Sequence, residues 1–212
     1  MKNFLNFRLQ ISLCKRTISH SFYSSILWFA FGRNNLIPNY VKHSVLINFF
    51  LRNCFTIESG TYLGESTKKF QKYSSKVFSI EPEKKLYSFA KKRLKRFKKI
   101  TIINGSSEDA LQSIIDLLPK GSCINFWLDG HYSEGYTFKG KTDSPIQHEL
   151  QKIAENLNKF KKIRIAIDDF KDFGMINKSG YLSRGDLVKW ADTNGFFWNV
   201  EMGIFLLSKD NV

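Results

Sequence analysis

A doubly wound α/β fold is predicted by three observations. From Pro38 onward, short β-type runs alternate with helical patterns of roughly ten to fifteen residues, the rhythm of βαβ units. Each β-type run ends in small or acidic residues, as strands do where a binding edge forms. The last two runs are separated only by a turn at Gly203, so they must pair antiparallel. Together these predict a Rossmann-like, mostly parallel seven-stranded sheet with a C-terminal antiparallel hairpin.

Residues 40 to 52 read as the first helix and residues 54 to 57 as the first strand. A helix over 65 to 73 leads to a strand over 76 to 80, and a helix over 83 to 97 to a strand over 100 to 103. Residues 107 to 117 form the next helix and 123 to 128 the central strand. A helix over 145 to 160 precedes a strand over 163 to 167, and 182 to 193 is the last helix. The hairpin comprises 196 to 202 and 204 to 207.

The 212 residues divide into a basic aromatic segment, 1 to 38, and a single domain, 39 to 212. With 42% hydrophobic and 25% charged residues and only 4 Pro, the chain is neither disordered nor collagen-like. Its three cysteines, Cys14, Cys54 and Cys123, are too widely spaced for a disulfide framework or a zinc pair and read as reduced, buried thiols. No run reaches the roughly 18 apolar residues that a membrane span requires. A cytoplasmic enzyme is therefore expected. The acid-free segment 1 to 38 reads as a helical cap, with organelle targeting or membrane-surface contact as its other readings.

The formal charge of +14 has an uneven origin. Seven basic residues and no acid lie between Met1 and Ile57, and nine basic residues and no acid between Lys84 and Lys99. The other 17 basic residues face 19 acids. In the second segment Leu86, Phe89, Ala90, Leu94 and Phe97 recur at helical spacing, so the cations should form the outer face of a sheet-covering helix. RNA or an anionic membrane is the alternative partner for that face. Such a site would have to adjoin the ligand pocket, and the helix is expected to point its body away from it.

The carboxyl edge of the sheet should carry the chemistry. After the first strand, Glu58-Ser59-Gly60-Thr61-Tyr62-Leu63-Gly64-Glu65-Ser66 brackets a turn between two glycines. This suits close approach of a ligand to the backbone, and equally an ordinary strand-to-helix turn. An acid at the strand end argues against a pyrophosphate and for a ligand with a cationic part. Glu81 ends the second strand about twenty residues on, where such folds hold ribose hydroxyls, and Pro82 suits the start of the next helix. Gly105, Ser106, Ser107 and Glu108 follow the third strand, in a segment suited to an adenine edge or to a plain helix cap. Asp129-Gly130-His131 follows the fourth strand and Asp168-Asp169 the fifth. Three carboxylates converging on adjoining strand ends would suit a hard divalent ion such as Mg²⁺.

Glu58-x-Gly60-x-x-x-Gly64, Glu81, Gly105-Ser106-Ser107, Asp129 and Asp168-Asp169 together resemble the class I S-adenosylmethionine-dependent methyltransferases. Within these they are most similar to the metal-dependent O-methyltransferases of the macrocin and catechol types. The resemblance covers residue 41 to the C-terminus and implies a Rossmann-like methyltransferase fold. It implies that Gly60, Thr61, Tyr62, Gly64 and Ser66 wrap the methionine moiety and that Glu81 and Pro82 border the ribose. Gly105 to Glu108 would border the adenine, with Glu58, Asp129, Gly130 and His131 completing the cofactor site and Asp129, Asp168 and Asp169 holding Mg²⁺. The implied reaction is methyl transfer to a hydroxyl of a small molecule or sugar. The catechol-type lysine base has no counterpart, since Tyr132 stands there, and His131 beside Asp129 is the expected catalytic base. The loop 133 to 144 is expected to recognise the acceptor. Enzymes similar to cephalosporin hydroxylases have comparable acid-ended strands and form the other enzymatic reading.

Overall fold

A computed structural model describes residues 37–129, 145–174 and 182–211. By internal contacts the chain separates into residues 1–45 and 46–212. The described part of the first unit runs from Ile37 to Val45 and opens helix α1 (Asn39–Phe49).

In the second unit the elements follow the expected order. They are β1 (Phe55–Ser59), α2 (Glu65–Phe70), β2 (Lys76–Glu81), α3 (Lys84–Leu94), β3 (Ile100–Asn104), α4 (Ser107–Leu117), β4 (Ser122–Leu128), α5 (Ile146–Glu155), β5 (Phe160–Ile167), α6 (Arg184–Thr193), β6 (Phe197–Glu201) and β7 (Ile204–Asp210). They form one seven-stranded sheet in the order β3-β2-β1-β4-β5-β7-β6. The β1–β5 pairings are parallel, and β7 runs antiparallel to both β5 and β6. The order reverses beside β1, which places the switch point between β1 and β4, where a doubly wound sheet opens a crevice at its carboxyl edge.

Both faces of the central strands are buried, one of them apolar and the other carrying the polar Thr56, Glu58, Ser79 and Asn125. Ile57, Phe126, Ile163 and Ile165 are fully buried, with Leu111, Ile115, Leu150, Ile153 and Leu187 packed from the helices. Each such side chain contributes roughly 1.5–3 kcal/mol by leaving water. Helix α3 buries Leu86, Ala90 and Leu94 at a strict spacing of four, which turns its remaining side chains outward. Caps fix three helix starts. Glu83 accepts from the Lys85 N–H, Ser106 from the Asp109 N–H, and Ser183 and Asp186 form a capping box.

Two boundaries differ from the pattern-based expectation. The helix expected over 145 to 160 stops at Glu155, because the Asn156 amide donates to the Lys152 and Gln112 oxygens. A single 3₁₀ turn follows, and β5 starts three residues early with the buried Phe160. The closing turn contains two residues, Met202 and Gly203, both at positive φ (48° and 73°), with Glu201 paired to Ile204. That is the type I′ geometry whose twist suits a hairpin. Cys54 is buried as expected, with its thiol pushed up to about 12 chiefly by burial, whereas Cys123 is half-buried and Cys14 lies outside the described residues. Among the described residues no helix is long and apolar enough to cross a membrane.

Candidate functional site

The carboxyl edge is stitched together by backbone hydrogen bonds between successive strand ends. Gly60 and Thr61 N–H both donate to Ile80 O at 3.1 Å, and Gly105 N–H donates to Glu81 O at 3.2 Å. Asp129 N–H donates to Ser59 O at 3.2 Å and Asp168 N–H to Leu128 O at 3.1 Å. The turn after β1 thus sits against β2, and the two aspartates follow in line.

Glu58 is fully buried, and its carboxylate collects hydroxyls from two elements. Ser66 and Thr67 reach it from α2 (Thr67 at 2.5 Å), and Ser79 reaches it from β2 at 2.6 Å. Thr61 joins the same network through Ser79 at 2.6 Å. Burial raises the Glu58 pKa despite these three donors. The members expected to hold cofactor, Glu58, Thr61 and Ser66, are therefore bonded to one another or through Ser79, and they fix the shape of the glycine turn. Gly60 and Gly64 take φ of 92° and 75° and Tyr62 takes 49°, so three turn residues lie in the left-handed region.

Glu81 caps that turn from the neighbouring strand. Its Oε2 accepts from Tyr62 N–H at 2.7 Å and its Oε1 from Glu83 N–H at 3.0 Å. Each oxygen keeps a lone pair for another donor. Burial pushes its pKa up to about 7, with the charges of Glu83 and Glu58 adding to the rise. Pro82 follows half-buried, and the Asn104 amide ties its carbonyl and that of Glu81 to β3. Beyond β3, Ser106 is committed to capping α4 through Asp109, Ser107 is buried and Glu108 is half-buried.

The pairing of β4 with β5 brings Leu128 beside Ile167, so Asp129, Asp168 and Asp169 reach adjoining strand ends as anticipated. Asp168 spends Oδ1 on the Asp169 N–H at 2.8 Å, and Asp169 takes a left-handed φ of 51° to open a 3₁₀ turn. Among the described residues no three His, Cys, Asp or Glu side chains are placed to hold a metal ion. Gly130, His131 and the loop 133 to 144 lie outside the described residues.

Two residues absent from the pattern-based expectations border the site. Glu149 lies in the apolar stripe of α5 with Ile146, Leu150 and Ile153, and is 1% exposed. Burial is the largest influence on its carboxyl and raises its pKa. Glu149 Oε1 and Ser59 Oγ are both buried with no hydrogen-bond partner among the described residues. The signal in the sequence was an acid inside an otherwise apolar helical stripe. Arg93 is the second residue. Its guanidinium donates to Leu63 O at 2.7 Å and pairs with Glu65, while a Cβ on Gly64 would lie 2.6 Å from Leu94 Cδ1. Helix α3 therefore packs against the glycine turn, contrary to the expectation that it points away from the site.

An edge with buried acids and unsatisfied acceptors suits a ligand that is cationic and rich in hydrogen-bond donors. S-Adenosylmethionine meets that description, with its sulfonium and ammonium charges and its ribose hydroxyls. No protein-family model matches the sequence, and no curated protein matches it. Solved structures do. A candidate rRNA methylase from Clostridium thermocellum aligns at a TM-score of 0.55 and 10% identity, over 84% of this chain and 100% of that one. Precorrin-6y C5,15-methyltransferase from Geobacter metallireducens aligns at 0.52 and 11% identity, over 84% and 92%. A candidate methyltransferase from Streptococcus mutans, solved in complex with SAH, aligns at 0.50 and 16% identity, over 84% and 99%. The chain has the Rossmann-like methyltransferase fold. At these identities the similarity is one of architecture, in which Glu58, Glu81 and Asp129 stand at the carboxyl ends of β1, β2 and β4.

Proposed function

We propose that the protein is an S-adenosylmethionine-dependent methyltransferase. The observation that carries this reading is Glu81, a buried carboxylate at the end of β2 that grips the glycine turn and keeps free lone pairs at the switch-point edge. In this reading the ribose hydroxyls donate to Glu81, the turn Gly60 to Gly64 encloses the methionine part, and Ser107 and Glu108 border the adenine. The aligned structure in complex with SAH supports the choice of ligand. Bound there, the cofactor supplies an electrophilic methyl group, and the protein's part is to orient it and exclude water.

Asp129 stands where β4 meets the end of β1 and is proposed to position the acceptor, with His131 as the base that takes its proton. The expectation of a metal-assisted transfer to a small hydroxyl compound depended on a three-aspartate ion site that the described residues do not form. No step is assigned to magnesium.

Ligand-dependent stabilisation tests the reading. At a hundredfold excess over its dissociation constant, S-adenosylhomocysteine should stabilise the protein by about 2.7 kcal/mol. NAD⁺ and ATP at equal concentration should leave the melting temperature unchanged. Equal stabilisation by ATP, or none by either S-adenosyl compound, would overturn it.

A further inference from the structure

Between Lys68 and Lys99 the chain carries thirteen basic residues and two acids, one of which is the buried Glu81. Lys84, Lys85, Lys91, Lys92, Lys95, Arg96, Lys98 and Lys99 are all exposed. Of the nine cations from Lys84 to Lys99, only Arg93 is ion-paired among the described residues. The helix dipole accounts for Lys91 and Lys92 in the last turn of α3, but it opposes Lys84 and Lys85, the first two residues of a helix whose first turn has no acid. Lys95 and Arg96, in the turn that follows α3, add further like charge to the same region. Beyond local contacts such as Lys91 with the Tyr87 hydroxyl and Lys99 with the Ser74 carbonyl, folding gains little from gathering these charges on one face.

The face is also placed where an acceptor would need it. Arg93 and Leu94 lock α3 onto the glycine turn, so Lys92, Lys95 and Arg96 flank the residues that touch Leu63 and Gly64. We propose that the outer face of α3, with Lys68 and Lys72 of the α2 region, docks the phosphate backbone of RNA beside the glycine turn. That this RNA bears the methyl acceptor rests on the methyltransferase reading; the docking itself does not.

Two features select RNA over other polyanions. A membrane-surface helix inserts its apolar side, whereas α3 spends Leu86, Ala90 and Leu94 on the sheet. Tyr87 of α3 and Phe97 just beyond its end are covered by Lys91 and Arg96 at 5.1 and 5.0 Å. Reading B-DNA requires an element that protrudes into the major groove, while a helix lying flat on a sheet suits the wide, shallow minor groove of A-form RNA.

The test uses the full chain without cofactor and a fluorescent 20-base-pair RNA duplex, titrated by anisotropy at several salt concentrations. Binding should weaken with salt at a log–log slope of about −4 or steeper, since each phosphate contact contributes roughly −0.9. The triple variant Lys92→Gln, Lys95→Gln, Arg96→Gln should flatten that slope by about 2 to 3 and bind RNA at least tenfold more weakly, with S-adenosylhomocysteine binding unchanged. The exposed Lys120→Gln, Lys161→Gln, Lys189→Gln triple should change neither. Equal losses in both triples would overturn the proposal. So would equal affinity for DNA of the same sequence, or tighter binding to phosphatidylserine vesicles than to RNA. Failure of S-adenosylhomocysteine to bind while RNA binding behaves as stated would reject the methyltransferase reading and leave the docking surface standing.

Discussion

Arg93 donates a 2.7 Å hydrogen bond to the carbonyl oxygen of Leu63, thirty residues earlier in the chain. This contact joins the most basic helix to the turn proposed to enclose the cofactor, and the same guanidinium pairs with Glu65 at the start of α2. The guanidinium is about one-third exposed and Glu65 more so. The ion pair should therefore contribute less than about 1 kcal/mol to stability. Its effect should be on the turn. Arg93→Met is expected to weaken S-adenosylhomocysteine binding several-fold in calorimetry while shifting the melting temperature little, and Glu65→Gln should have the smaller effect on binding.

Gly64 should tolerate no side chain. It takes φ of 75°, and an added Cβ would lie 2.6 Å from Leu94 Cδ1, which belongs to a residue only 2% exposed. Gly64→Ala is expected to cost about 2 kcal/mol from the left-handed backbone and overpacking together. Trimming Leu94 to alanine in the same chain should relieve the clash, so the double variant should be more stable than the sum of the singles by at least about 0.5 kcal/mol in denaturant titrations.

Glu149 gives a stability prediction with a definite sign. Burial raises its folded pKa above the unfolded value of 4.5, so over the intervening pH range the folded chain keeps a proton that the unfolded chain has lost. Its contribution is most favourable below pH 4.5 and declines as the pH rises through the folded value. Glu149→Gln should therefore gain on the wild type as the pH is raised from about 5 to about 8, read as the difference in melting temperature. A variant-minus-wild-type difference in melting temperature that falls over that range would contradict the burial argument.

Glu81 should make ligand binding pH-dependent. In the free protein its pKa is about 7, and donation from ribose hydroxyls would favour the carboxylate. S-Adenosylhomocysteine should bind more tightly at about pH 8 than at about pH 6 and release protons near neutrality, measurable by calorimetry in two buffers of different ionisation enthalpy. Glu81→Gln should abolish the dependence.

The architecture was largely legible in the sequence because two periodicities announce it. Alternation of period-two and helical runs gave every element, and the short spacer at Gly203 required the antiparallel close. Strand ends could be located, so Glu81, Asp129 and Asp168 could be placed at one edge. What stayed hidden depended on side-chain direction. Glu58 stands at a strand end like Glu81, yet it turns inward to three hydroxyls. Asp168 and Asp169 adjoin Asp129, yet among the described residues no three acids are placed to hold a metal ion. Arg93 was one of nine similar cations, and only the crossing of α3 over the turn singles it out.

Calorimetric titration of S-adenosylhomocysteine into the wild type and into Glu81→Ala, both checked for folding by circular dichroism, tests the central claim most directly. One site is expected on the wild type, with a loss of at least about tenfold in the variant, since two charge-assisted hydrogen bonds would be removed. No binding to the wild type, or equal binding to both proteins, would contradict it.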